Sequence, residues 1–343
     1  MSFSRVVIEK MAYALPSQII SSIEIEELLS PLYDRLNLKK GRLELMTGIK
    51  ERRFWDSSIN ASEASAEAGR KLLEDQIIDP NEVDLLIHSA VCRDRLEPAT
   101  ASYVHRLMGL GENTQILDVS NACLGFLNAL ILAASMIEQK IIKRAIIVAG
   151  ENGKPLVDET LRILNNGKMN RKEIKSYFAN LTIGAGAVAW SITSNEYAAQ
   201  TLAKISAFST STDTSHNHLC EGDQSIGGMV MQTNSEELLH AGIDVAKKAW
   251  NKFLDITGWS SSSPELIVTH QVGRAHQQEI EKALGYNPSK SFNTYETLGN
   301  CGSVSLPVSY TIACEKRPEV INQKSALLGI GSGLSSLMLA LNN

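Results

Sequence analysis

Short apolar runs recur along the chain at LLI (85–87), AIIV (145–148), LIV (266–268) and ALLGI (326–330). Runs of this length, apolar at every position, suit strands covered on both faces. Between them lie helix-like segments, among them EAGRKLLED (67–75), CLGFLNALILAASMIEQ (123–139), KAWNKFLDI (248–256) and SVSLPVSYTIAC (303–314). Strands alternating with helices predict a largely parallel sheet with helices on its faces. The 123–139 segment is clearly polar only at Asn128, Ser135, Glu138 and Gln139, which predicts a buried central helix. The stretch 207–240, with TSTDTSHNH and EGDQSIGG, reads as a long loop covering a site rather than as core.

The pattern repeats. VDLLIHSAVCR (83–93) aligns with PELIVTHQVGR (264–274) at an offset of 181 residues, and AIIVAG (145–150) aligns with ALLGIG (326–331) at the same offset. The helical segments at 67–75 and 248–256 share that offset too. Two helix openings, at 121–125 and 299–302, correspond with a slip of two residues. Helix, strand, loop, helix and strand therefore occur twice in one order, the signature of an internal duplication. The expected division falls near 195–205, giving halves of 1–198 and 199–343.

Composition narrows the function. The chain has 343 residues, 43% hydrophobic and 21% charged, with a formal charge of −5. That balance lacks the basic footprint of a nucleic-acid binder. No run reaches the length of a membrane span, and the first residues lack the apolar segment of a signal peptide, so a cytoplasmic protein is expected. Five cysteines contain no C-x-x-C pair, which fits neither a zinc ribbon nor a thioredoxin-type site. His216, His218 and Cys220 form H-x-H-x-C, a weak metal signal without a further ligand, and no metal or cofactor is expected.

Four residues carry candidate chemistry. Cys123 opens the predicted central helix, where backbone N–H groups and the helix dipole favour a thiolate. His270 follows the strand LIVT, at the end where α/β sheets bind ligands. Asn300, in LGNCGS, precedes the second helix-like segment and is equally suited to capping it. Pro307 is tolerable if that helix begins at 303–305. Cys123 and Asn300 occupy equivalent places in the two repeats. If the halves pair about a twofold axis, two positive helix ends face one anionic centre, as thioester chemistry requires. Glu97, in RDRLEPATAS, is a candidate base or an ordinary exposed carboxylate. Gly331, Ser332 and Gly333 are too near the C-terminus for a dinucleotide fold and read instead as a tight loop presenting N–H groups to an oxyanion.

Together DVSNACLGF, VTHQVGRAH and LGNCGSVSLP, with TGIKERR (47–53) and LTIGAGAVAW (181–190), resemble the ketoacyl-ACP synthase III branch of the thiolase superfamily. VCRDRLEPATAS, LSPLYDRL, IKERRFWD and LLGIGSGLSS are similar to its OleA group, which joins two fatty acyl-CoA molecules head to head. The resemblance implies an α/β thiolase-like five-layered αβαβα fold of two pseudo-twofold-related halves. It implies Cys123 as the acylated nucleophile, and His270 and Asn300 as ligands of the second substrate's thioester oxygen. Cys123 N–H with the 331–333 loop would hold the first oxyanion, and Glu97 would act as base across a homodimer. The substrates implied are acyl-CoA or acyl-ACP. Lys50, Arg52 and Arg53 read equally as contacts for CoA phosphates or as a solvated basic loop. The nearest alternative is a decarboxylating 3-oxoacyl-ACP synthase III or related acyltransferase, which shares Cys, His and Asn but has no need of Glu97. A papain-like protease has the same residue order, but its C-G-[SA]-C-[WY] signature is absent. A catalytically silent homologue would not need the intact triad. Two positions depart from the branch: Cys301 beside Asn300, and Gly273-Arg274-Ala275 after the HQ pair.

Overall fold

A computed structural model describes residues 2–225 and 228–342. Nine strands build its main sheet: β1 (Val6–Ala14), β2 (Leu85–His88), β3 (Gln115–Asp118), β4 (Arg144–Asn152), β5 (Ala185–Ser194), β6 (Ala203–Thr212), β7 (Leu266–Thr269), β8 (Ser325–Gly331) and β9 (Ser335–Asn342). Their spatial order is β7-β8-β9-β6-β1-β5-β4-β2-β3. The set β2-β4-β5-β1 and the set β7-β8-β9-β6 have one pattern, a parallel pair followed by two antiparallel pairs. β2 and β7 begin at residues 85 and 266, and β4 and β8 at 144 and 325, so the offset of the sequence repeat is carried into the strands. β3 has a one-residue counterpart, Ser291, which bridges Ile267 in parallel. The two sets join where β1 meets β6 through two residue pairs, Val7 with Lys204 and Ile8 with Ala203.

The expectation of a largely parallel sheet is corrected. Between the nine strands, parallel pairing is confined to β2 with β3 and β4, and to β7 with β8. β8 turns directly into β9 after three residues, a connection that permits only antiparallel pairing. Because helices cover both faces, the apolar runs look alike whichever way a strand points.

Three hydrophobic clusters divide the molecule into layers. Alternate residues of one strand belong to different clusters: Leu85 and Ile87 face one, Leu86 another. The central cluster holds the inner faces of both strand sets around two helices, Gly125–Glu138 and Ser305–Lys316. An outer cluster packs the helices Ala61–Leu73 and Thr100–Met108 on β2, β4 and β5. A second outer cluster packs Ser235–Thr257 and Arg274–Leu284 on β7, β8 and β9. The result is the five-layered αβαβα arrangement. Trp190, fully buried, meets Phe126 edge-on at 5.2 Å and Tyr310 at 5.6 Å, so it joins the two central helices through β5.

The stretch 207–240 is not a loop. It holds the end of β6, a hairpin of Cys220–Ser225 and Gly228–Thr233, and the start of the Ser235–Thr257 helix. Among the described residues no helix is long and apolar enough to cross a membrane.

Candidate active site

Ala122 has a left-handed φ of 45°, a costly conformation for a residue with a side chain. It turns the chain so that Cys123 sits at the shoulder of the central helix. That helix begins at Gly125 with Leu124 as its N-cap, two residues later than the sequence reading placed it. Leu124 N and Gly125 N donate back to the carbonyls of Asn121 and Ala122, a turn rather than helix. The end of β8 lies against this turn. A Cβ on Gly329 would stand 2.4 Å from the Leu124 side chain, and one on Gly331 3.1 Å from it. Glycine at these positions lets the 331–333 loop come up beside Cys123. Gly333 itself has φ 77°, as the tight turn into β9 requires.

His270 leaves the end of β7 with its N–H on the Leu328 carbonyl at 3.0 Å. The neighbouring Gln271 fixes the next segment: its Oε1 accepts from Thr294 N at 2.7 Å and Tyr295 N at 3.1 Å. That segment leads to Asn300, whose backbone exchanges hydrogen bonds with Thr182 and Gly184, both at 2.9 Å. Asn300 Oδ1 accepts from Gly302 N at 3.0 Å and Ser305 Oγ at 3.3 Å. These bonds fix the amide orientation and leave Nδ2 free to donate. Asn300 therefore caps the turn before the Ser305–Lys316 helix and still presents a donor. Pro307 falls in that helix's first turn.

Each of the three segments is thus fixed by backbone and by residues beside the candidates: the Cys123 turn and His270 against β8, and the segment leading to Asn300 by Gln271. No hydrogen bond among the described residues joins the Cys123, His270 and Asn300 side chains to each other. Burial pushes the Cys123 thiol up to about 12, and the Glu151 carboxylate and then Cys220 add to it. Desolvation and a negative neighbour outweigh the helix terminus, so the resting group is a thiol and not the expected thiolate. Burial lowers His270 to about 4, helped by His276, so its imidazole is neutral and able to accept a proton. Its Nδ1 is buried without a partner in the structure.

Glu151 was not singled out from the sequence. It is the penultimate residue of β4, is 4% exposed, and sits close enough to raise both Cys123 and Cys301. A carboxylate closing an apolar strand is the signal that could have found it. Cys301, its thiol on the Leu298 carbonyl at 3.3 Å, is buried packing beside Asn300.

Glu97 is exposed in this chain, beside Leu96 at 90% exposure. The basic trio is corrected in one member. Arg52 is fully buried, its guanidinium donating to Leu181 O and Ser22 Oγ at 3.0 Å, so it holds the fold and cannot reach a solvent phosphate. Lys50 is exposed and paired with Glu296 at 2.8 Å; Arg53 donates to the Pro16 carbonyl at 2.9 Å. Beside the nucleophile loop opens a cleft of about 740 Å³, lined by Ala122, Ser332 and Gly333 and, from the hairpin, Cys220, Asp223 and Gln232. The stretch read as a covering loop is thus folded but does border the opening near Cys123. Among the described residues no group of three His, Cys, Asp or Glu is placed to hold a metal.

Residues 117–213 match the family model described as 3-Oxoacyl-[acyl-carrier-protein (ACP)] synthase III, and residues 254–342 match the model of its C-terminal part. An acyl-CoA:acyl-CoA alkyltransferase of Shewanella oneidensis is 35% identical over 99% of this chain and 99% of its own. One from Xanthomonas campestris pv. campestris is 35% identical over 98% of each chain. A β-ketoacyl-[acyl-carrier-protein] synthase III of Bacillus cereus is 23% identical over 94% of this chain and 93% of its own. The cerulenin-bound crystal structure of Xanthomonas campestris OleA superposes with a TM-score of 0.95 at 34% identity, covering 100% of this chain and 98% of that one. Fold, layer order and full-length similarity agree: this chain belongs to the 3-oxoacyl-ACP synthase III family of condensing acyltransferases, in its OleA-type acyl-CoA:acyl-CoA alkyltransferase group.

Proposed function

We propose that the chain performs a non-decarboxylative Claisen condensation of two fatty acyl-CoA molecules to a β-keto acid. The observation that carries this reading is the full-length similarity to alkyltransferases whose name gives acyl-CoA as both partners. Residues 1–198 supply the nucleophile, and 199–343 the histidine and asparagine.

Neutral His270 takes the Cys123 proton as sulfur attacks the first thioester. CoA leaves, and the acyl group is stored on Cys123. The N–H groups of Cys123 and the 331–333 loop stabilise the oxyanion of that step. The second acyl-CoA places its thioester oxygen on His270 and Asn300 Nδ2. Glu97 removes an α-proton, and the carbanion attacks acyl-Cys123, expelling sulfur, which is reprotonated. Water then cleaves the β-keto thioester, so two acyl-CoA and one water give one β-keto acid and two CoA. Glu97 is exposed in its own chain, which supports its serving the partner of a cytoplasmic homodimer.

CoA release, with long-chain acyl-CoA as sole substrate, tests the reading. Sustained release through many turnovers is expected. A single burst of about one CoA per chain, followed by arrest, would indicate a synthase awaiting a malonyl donor.

A further inference from the structure

Glu151 is buried at the end of β4, and its bonds come from two separate loops. Oε1 accepts from Val91 N at 2.8 Å and Ser303 N at 3.1 Å, and Oε2 accepts from Cys92 N at 3.0 Å. Ser303 Oγ stands 3.0 Å from Oε1 and 2.8 Å from the Ser89 carbonyl, and its one hydrogen serves one of them at a time. A Cβ on Gly302, at φ 54°, would stand 2.8 Å from Oε1, so the chain there passes directly over the carboxylate.

This placement works against the first chemical step. A buried carboxylate without a cation is costly, burial raising its own pKa, and here it also raises the Cys123 thiol whose proton acylation must remove. A merely space-filling residue would avoid both penalties. The bonds indicate what the carboxylate does instead. Val91 and Cys92 begin the loop that carries Glu97, and Ser303 closes the turn that presents Asn300.

We propose that Glu151 is a positioning residue for the carbon–carbon bond-forming step: its carboxylate ties the Glu97 loop to the Asn300 turn across the two halves. The inference rests on the roles given above to Glu97 and Asn300. Acylation of Cys123 uses neither group, so it should be spared when the tie is cut.

Glu151→Gln tests this, with single-turnover acylation of Cys123 and condensation measured separately. Condensation should fall about 30-fold or more, as small misplacements do, with acylation changed less than about threefold. Loss of the charge should also move alkylation of Cys123 by iodoacetamide to lower pH. Glu151→Asp keeps the charge but shortens its reach, so it should retain the wild-type alkylation profile yet remain slow in condensation. Ser303→Ala leaves the carboxylate and both N–H loops in place; it should show the same split, more weakly, and carries the test if Glu151→Gln does not fold. Equal loss in both steps, or unchanged condensation, would overturn the proposal while the wild type still condenses. A wild type that acylates Cys123 but forms no product would instead overturn the parent reading, and the inference with it.

Discussion

At the scale of single residues the Cys123 thiol and the His270 imidazole are both neutral at rest. The Cys123 thiol lies near 12 and the His270 imidazole near 4, so proton transfer accompanies attack rather than preceding it. Iodoacetamide labelling of Cys123 in the free enzyme should therefore keep rising above pH 9; a plateau by pH 8 would contradict the raised thiol. If Asn300 Nδ2 holds the thioester oxygen as proposed, Asn300→Ala should lower condensation by about 10²- to 10³-fold, measured as product formation from acyl-CoA. Cys123, His270 and Asn300 could be singled out because each stands at a chain position with chemical meaning: a helix opening, a strand end, and the equivalent opening in the repeat. Glu151 was not, because its importance lies in which backbone N–H groups reach it, and those come from residues 60 and 152 positions away. Arg52 was misread for the converse reason. Its charge suggested solvent, whereas its partners are a carbonyl and a hydroxyl inside the protein.

Among the elements, the central helix Gly125–Glu138 was legible because it is apolar on nearly every side, and its burial between two strand sets follows. Its start was not, since Ala122's left-handed turn has no signal in an alanine. β6 was missed because only Ile205 among its inward positions is large and apolar; Ala203, Ala207 and Ser209 are small or polar, Ser209 donating to the Ala249 carbonyl at 2.7 Å. The 220–233 hairpin was missed because residues such as Glu221, Gly222 and Asp223 have low strand propensity. Phe126 is fully buried against Trp190, and Phe126→Ala should cost about 3–5 kcal/mol in denaturant unfolding. Ile141 is 68% exposed, and Ile141→Ala should stay within about 0.5 kcal/mol. Similar values for both variants would mean the central layer is not where stability resides.

For the whole molecule, the duplication was readable as a fixed offset, while the antiparallel pairings within each set were not. Their direction is set by turns and crossovers that an apolar run does not encode. Acid should weaken the fold in a definite window. His88, His270 and His276 are each lowered by burial to about 4, so the unfolded chain binds protons that the native chain refuses. Their contribution is present above pH 6.5 and lost as pH falls from there towards 4; unfolding midpoints in urea should fall across that range and not above it. Assembly is testable by mixing two inactive variants, Cys123→Ala and Glu97→Ala. If Glu97 serves the partner, subunit exchange should restore about a quarter of wild-type activity, since half the dimers then hold one complete site. No recovery after exchange would place Glu97 in its own chain's site.

Mass spectrometry of products from a long-chain acyl-CoA, supplied without any malonyl donor, bears most directly on the condensation itself. A β-keto acid, or the ketone it becomes, should form with wild type, while Glu97→Ala should acylate Cys123 and stop there. An acylated Cys123 with no condensed product from wild type would contradict head-to-head condensation and leave a synthase awaiting a different second substrate.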